Sequence, residues 1–207
     1  MQDVYDILTT FQITLKGVLH IGAHDCEELV YYREHNVSDK NIVWIDALLH
    51  KVEAAKQRGV QNVYHAVITD KNDEDVIFHV SNNCASSSVL ELGTHAQEHP
   101  SVMYVNTLQQ KSTTINQFIK DNHIDISQLN FWNFDIQGAE LLALKGATEW
   151  ISYADALFLE VNEKELYKNC GLIGEIDTFL EKYHFKRVKT YMTQHGWGDA
   201  LYVRVPV

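Results

Sequence analysis

Gly17-Val18-Leu19-His20-Ile21-Gly22-Ala23-His24-Asp25-Cys26-Glu27-Glu28 is the stretch on which the fold turns. Its first five residues form a short apolar run that halts at Gly22, the pattern of a buried strand entering a tight turn, and residues 27–35 have the composition of a following helix. Outward from it the pattern repeats. Residues 41–45 read as a second buried strand, residues 50–58 as a helix stopped by Gly59, and residues 62–67 as a third strand. A βαβαβ alternation packed into about seventy residues demands parallel strands, because each crossover is helical, and so predicts a doubly wound α/β sheet.

Beyond that core, residues 76–80 read as a strand after the acidic turn Asp73-Glu74-Asp75, and residues 81–88 as a polar loop. A helix is expected over 114–120, capped by Thr113 or Thr114. Residues 131–134 read as a strand reaching Asp135, residues 140–145 as the next helix, and residues 156–159 as a strand reaching Glu160. After a helix over 174–183, residues 185–191 and 200–205 are expected to close the sheet as an antiparallel hairpin around His195-Gly196-Trp197-Gly198. The expected architecture is therefore a mostly parallel sheet with a C-terminal antiparallel hairpin and helices on both faces. A dinucleotide dehydrogenase would end with further βα units instead.

At 207 residues, with only two prolines, ten glycines and no low-complexity tract, the chain reads as a single domain spanning 1–207. Hydrophobic residues at 45% and charged residues at 22% are ordinary for a soluble domain, and no apolar run approaches a membrane span. The acidic start lacks the basic-then-apolar layout of a secretory signal, so a cytoplasmic location and no membrane partner are expected. Cys26, Cys84 and Cys170 are odd in number and widely spaced, which fits neither a disulfide framework nor a paired metal motif. A formal net charge of −11 repels phosphate backbones, so nucleic acid is disfavoured as a partner and a small neutral acceptor favoured.

Ligands of open parallel sheets bind beyond the carboxyl ends of the strands. The candidates are thus His20, Gly22, Ala23 and His24 after the first strand, Asp46 and Ala47 after the second, Ala66 and Val67 after the third, then Asp135, Glu160 and Asn162. Gly22 lets a ligand approach bare backbone, and Asp46 has the placement of an acid that accepts hydrogen bonds from a ribose diol. The turn has one glycine where a diphosphate-cradling loop needs three, and Glu27 and Glu28 would repel phosphate. An adenosyl cofactor without phosphate fits better, and S-adenosylmethionine, with its sulfonium cation, meets that description.

The segments 17–28, Ser86-Ser87-Ser88, Asn133-Phe134-Asp135-Ile136-Gln137-Gly138-Ala139-Glu140-Leu141 with Leu144-Lys145-Gly146-Ala147, and Leu159-Glu160-Val161-Asn162 together resemble the FkbM-type methyltransferase family. Order and spacing agree over nearly the whole chain, and the Asp135–Ala147 block is the specific part. The resemblance implies a Rossmann-like methyltransferase fold, S-adenosylmethionine as cofactor, and methylation of a hydroxyl on a sugar or small metabolite. Three positions depart from the family pattern: His20 stands where an acid commonly ends the first strand, Cys26 where a glycine commonly occurs, and Ala47-Leu48 replace a proline-containing turn.

Methyl transfer requires alignment of an acceptor oxygen with the sulfonium methyl, exclusion of water and removal of a proton. Asp135, Glu160 and His195 are the catalytic candidates. Asp135 would hold the methionine ammonium or act as base, its alternative being a helix cap. Glu160 and Asn162 end the neighbouring strand, or are simply solvated there. Ser86, Ser87, Ser88, Asn162 and Trp197 are the acceptor-side candidates, Trp197 serving as a pocket wall or as hairpin packing. A non-catalytic module that binds an adenosyl ligand or a protein is the reading from another class. A zinc peptidase is suggested by His95-Ala96-Gln97-Glu98-His99, a His-x-x-Glu-His string, but Gly93 before it and Pro100 after it argue against a long supporting helix. No metal site is expected.

Overall fold

The computed structural model describes residues 2–205. Along the chain run α1 (Gln2–Thr10), β1 (Val18–Ile21), α2 (Leu29–Glu34), β2 (Ile42–Asp46), α3 (Leu49–Gln57), β3 (Val63–His65), β4 (Val67–Ile68), β5 (Asp75–Ser81) and α4 (His95–Glu98). There follow β6 (Tyr104–Thr113), α5 (Ile115–Asp121), β7 (Phe131–Phe134), α6 (Glu140–Lys145), β8 (Ala156–Asn162), α7 (Ile173–Glu181), β9 (Phe185–Met192) and β10 (Trp197–Arg204).

Seven strands form one sheet in the order β3-β2-β1-β7-β8-β10-β9. The pairs from β3 to β8 are parallel, while β10 runs antiparallel between β8 and β9, so the hairpin folds back and inserts its second strand. This is the Rossmann-like α/β arrangement expected from the alternation of strands and helices. Chain order reverses at β1, which pairs with β2 on one side and β7 on the other, and that reversal opens a crevice at the strand ends.

The period-two alternation of strand side chains divides the core in two. Val18, Ile42, Trp44 and Phe131 pack on one face with Leu8 of α1, Tyr32 of α2 and Val52 of α3. Leu19, Ile45, Trp132 and Phe134 pack on the other with Phe118 of α5, Leu144 of α6 and Leu180 of α7. Each such fully buried aliphatic or Phe side chain stabilises the fold by about 1.5–3 kcal/mol, which is why these strands carry apolar residues on both faces.

Three features depart from expectation. The strand expected over 62–67 breaks at Ala66, and Val67 and Ile68 leave to pair with β6 in a second sheet of order β4-β6-β5. The ten-residue β6 has no apolar signature, since half of its residues are exposed and only Ser112 is buried. Helix α1 was likewise unforeseen. Of the two threonines offered as a cap, Thr114 fills the role, its hydroxyl accepting from the Gln117 N–H. No helix among the described residues is long and apolar enough to cross a membrane.

Candidate active site

Gly22 leaves β1 with φ +92°, its N–H bonded to the Ile45 carbonyl at 2.9 Å. A Cβ there would lie 1.8 Å from the Asp135 carbonyl oxygen, so only glycine lets the ends of β1 and β7 come this close. At the end of β2, Asp46 is nine-tenths buried and fixed by the backbone. Its carboxylate accepts from the His24 and Leu48 N–H groups, both at 2.7 Å. Burial raises its pKa, and those two hydrogen bonds oppose the rise.

Above these strand ends lies a cavity of about 360 Å³. Gly22, His24, Glu27 and Glu28 form one wall, Asp46, Ala47, Ala66 and Val67 the middle, and Phe78, Cys84, Ala85 and Ser87 the side nearest the small sheet; Asp135 closes it. Four carboxyl groups line it, and among the described residues no lysine or arginine does. His24 is held by Glu27 at 2.9 Å on Nδ1, and its Nε2 accepts from the Lys51 ammonium at 3.0 Å. Such a cavity suits a cationic, phosphate-free ligand.

A second cavity, of about 330 Å³, meets the first at Asp135 and Ala85. Ser86, His95, His99, Glu160, Tyr167 and Trp197 are among its walls, together with Gln137. The Gln137 side-chain amide donates to Asp135 at 2.6 Å and to Glu160 at 2.6 Å. Asp135 is open to the cavities yet ringed by protein, and burial raises its pKa. Glu160 is pushed well above the carboxylate range, first by burial and then by Asp135, Glu140 and Asp199. Asp135 and Glu160 each act on the other's ionisation across the shared Gln137 amide, so the two carboxyl groups titrate as a pair. The backbone behind them is held by Glu140, which accepts from the Ile136 N–H at 2.9 Å and is pushed up to about 8 by burial.

The FkbM methyltransferase domain matches residues 20–187. The chain belongs to the FkbM methyltransferase family. No curated protein matches the sequence. Similar solved structures include magnesium protoporphyrin IX methyltransferase from Synechocystis PCC 6803 with bound SAM, at 15% identity over 99% of this chain and 79% of that one, with a TM-score of 0.46. A SAM-dependent methyltransferase from Aquifex aeolicus is 16% identical over 98% of this chain and 90% of that one, with a TM-score of 0.43. A SAM-dependent methyltransferase from Bacteroides fragilis in complex with S-adenosyl-L-homocysteine is 9% identical over 95% and 76%, with a TM-score of 0.47.

In this FkbM methyltransferase the crevice gathers most, but not all, of the residues singled out from sequence. Gly22, His24, Asp46, Ala47, Ala66, Val67 and Asp135 line the first cavity, and Ser86, Glu160 and Trp197 the second. Ser87 lines the first cavity rather than the second. His20 reaches neither, because strand alternation turns it to the other face. There it stacks on Trp44, bonds Tyr32 at 2.9 Å, and is driven down to about 4 by burial. Ala23 is packed into the core beside it. Ser88 spends its hydroxyl on the Gln137 carbonyl at 2.8 Å, and Asn162 is fully buried beneath the hairpin opposite Trp197. His195 lies outside both cavities, its Nδ1 bonded to Glu98 at 2.8 Å.

The zinc reading fails on the same contact. Glu98, the residue that would activate water, is pulled down to about 2 by His195 and Lys164, and α4 is a single turn. His99 instead accepts from the Trp197 indole N–H at 3.2 Å. Cys26 has φ +56°, which accounts for the glycine common at that position in the family. Sequence reasoning missed Gln137, Tyr167 and the lining roles of His95, His99 and Phe78. Gln137 stood inside the quoted block beside Asp135; Tyr167 had no signal, since only the chain's return after β8 brings it to the site.

Proposed function

We propose that this single-domain FkbM methyltransferase, spanning 1–207, uses S-adenosylmethionine to methylate a hydroxyl of a small neutral acceptor such as a sugar. The observation that carries this reading is the meeting of two cavities at Asp135: one acidic and phosphate-averse, the other walled by aromatic and hydrogen-bonding groups. When bound, the donor supplies an electrophilic methyl on a sulfonium, whose carbon–sulfur bond breaks with the electron pair going to sulfur.

The residues fit that donor. Asp46 would accept from the ribose diol, Ala66, Val67 and Phe78 would flank the adenine, and Gly22 admits the chain to bare backbone. His24, Ala47 and Ser87 complete the wall. Glu27, Glu28 and Asp135 supply negative charge for the methionine cation.

In the second cavity Trp197 and Ser86 would orient the acceptor with its hydroxyl toward Asp135. Among the described residues the second cavity also lacks lysine and arginine, which supports a neutral acceptor over a phosphorylated or carboxylated one. The hydroxyl proton would pass to the Asp135–Glu160 pair as the new carbon–oxygen bond forms, because a carboxylate with a raised pKa is a better base near neutrality. Calorimetry with S-adenosylhomocysteine tests the reading. Saturable one-to-one binding is expected, and the folded protein failing to bind at millimolar ligand would end it.

A further inference from the structure

Gln137 occupies a left-handed backbone conformation, φ +56°, and is followed by Gly138 at φ +93°. The turn is pinned on every side. The backbone carbonyl of Gln137 accepts from the Ser88 hydroxyl at 2.8 Å, and a Cβ on Gly138 would press on Tyr167 and Cys170 at 3.0 Å. The side-chain Oε1 accepts from the Tyr167 hydroxyl at 2.5 Å, which leaves both amide hydrogens for Asp135 and Glu160, each at 2.6 Å. A neutral double donor between two carboxyl groups favours an ionised form, yet two full charges bound to one amide nitrogen, one of them on the buried Glu160, repel strongly.

We propose that Gln137 is a positioning residue that ties Asp135 and Glu160 into a pair carrying one negative charge at the junction of the two cavities. The inference rests on the methyltransferase reading above and goes beyond it by naming what sets the charge of the base. One charge is enough to face a sulfonium and to receive one proton. The groups that act on the pair are Glu28 ahead of α2, Glu140 from α6, Asp199 from β10, Tyr167 after β8 and, from outside both cavities, His20 of β1. None of them donates to both carboxyl groups; among the described residues Gln137 alone spans the pair.

The test combines carbon-13 carboxyl NMR titration of the ligand-free protein with the dissociation constants of S-adenosylmethionine and S-adenosylhomocysteine across pH. The variants are Gln137→Met, which keeps length without donors, and Tyr167→Phe, which frees the amide. In wild type the two carboxyl resonances titrate together, with one proton retained through neutral pH. In Gln137→Met the step that creates the single charge moves up by about one pH unit or more, a tenfold change in proton affinity, and Tyr167→Phe moves it part of the way. Midway in pH between the wild-type and variant steps, the preference for the cationic donor over its neutral product falls about threefold in Gln137→Met as the charge is lost.

Near-UV circular dichroism establishes that each variant is folded; should Gln137→Met not fold, Tyr167→Phe carries the test. Independent, ordinary carboxyl titrations in wild type, or variants that titrate as wild type does, would overturn the proposal. The NMR result needs no ligand, so failure of the protein to bind either sulfur compound defeats the donor assignment and leaves the positioning claim to be judged by the titration.

Discussion

Gly22 and Asp46 are the two residues where a single substitution reads out the site most directly. Gly22→Ala would drive a methyl group into the Asp135 carbonyl from a left-handed backbone, so it is expected to cost about 2 kcal/mol or more in stability and to abolish S-adenosylhomocysteine binding. Chemical denaturation and calorimetry check both halves; wild-type affinity in a folded Gly22→Ala protein would show that the ends of β1 and β7 do not shape the cavity. Asp46→Ala is expected to weaken the same binding by about 1–3 kcal/mol, the value of a charged hydrogen-bond partner lost from a buried diol. Unchanged affinity would remove Asp46 from the ribose. Placement at this scale was legible wherever a residue ends a buried strand, because the strand ends of a parallel sheet meet at one crevice, and Gly22, Asp46 and Asp135 all line it. His20 was misread for the complementary reason: it lies within the strand, where alternation and not proximity to the end decides which face it meets.

At the scale of elements, the apolar strands β1, β2, β7 and β8 stood out because both of their faces are buried. Strand β6 did not, since it lies in a small second sheet with only Ser112 buried and Val105, Asn106 and Thr107 exposed in succession. Helix caps are local and were correspondingly readable. Thr114→Ala should lower stability by about 1 kcal/mol through loss of the α5 cap while leaving S-adenosylhomocysteine affinity unchanged. A matching loss of affinity would mean that α5 feeds into the site. The turn of the β9–β10 hairpin and the single-turn α4 illustrate the opposite case. Glu98 bonds Lys164 across 66 residues of chain and His195 across 97, and His99 bonds Trp197 across 98, so neither segment shows its partner in its own sequence.

For the whole molecule, the pH dependence of stability follows from its buried acids. Glu140 is pushed up to about 8, Asp199 to about 6 and Glu160 well above 4.5, each first by burial. The folded state therefore holds protons that the unfolded chain has released, and this contribution, complete below about pH 4, is lost as pH rises toward 8. His20 acts in the other direction: buried neutral and driven down to about 4, it withdraws stability as pH falls below its ordinary 6.5. The melting temperature is expected to peak in mild acid and to drop by several degrees between pH 6 and pH 8.5. Scanning calorimetry across that range checks it, and a flat or rising profile would contradict the protonation assigned to the acid cluster. Local chemistry in the chain by itself determined the parallel α/β core, the glycine turn, the acids at the strand ends and the family, because burial periodicity and turn residues act over a few positions. Only the tertiary structure decided that two cavities share Asp135, that Gln137 spans two carboxyl groups, and that His20 and His195 stand apart from the site. Those outcomes depend on which distant segments pack together, and packing partners leave no mark on the spacing of residues along a single stretch.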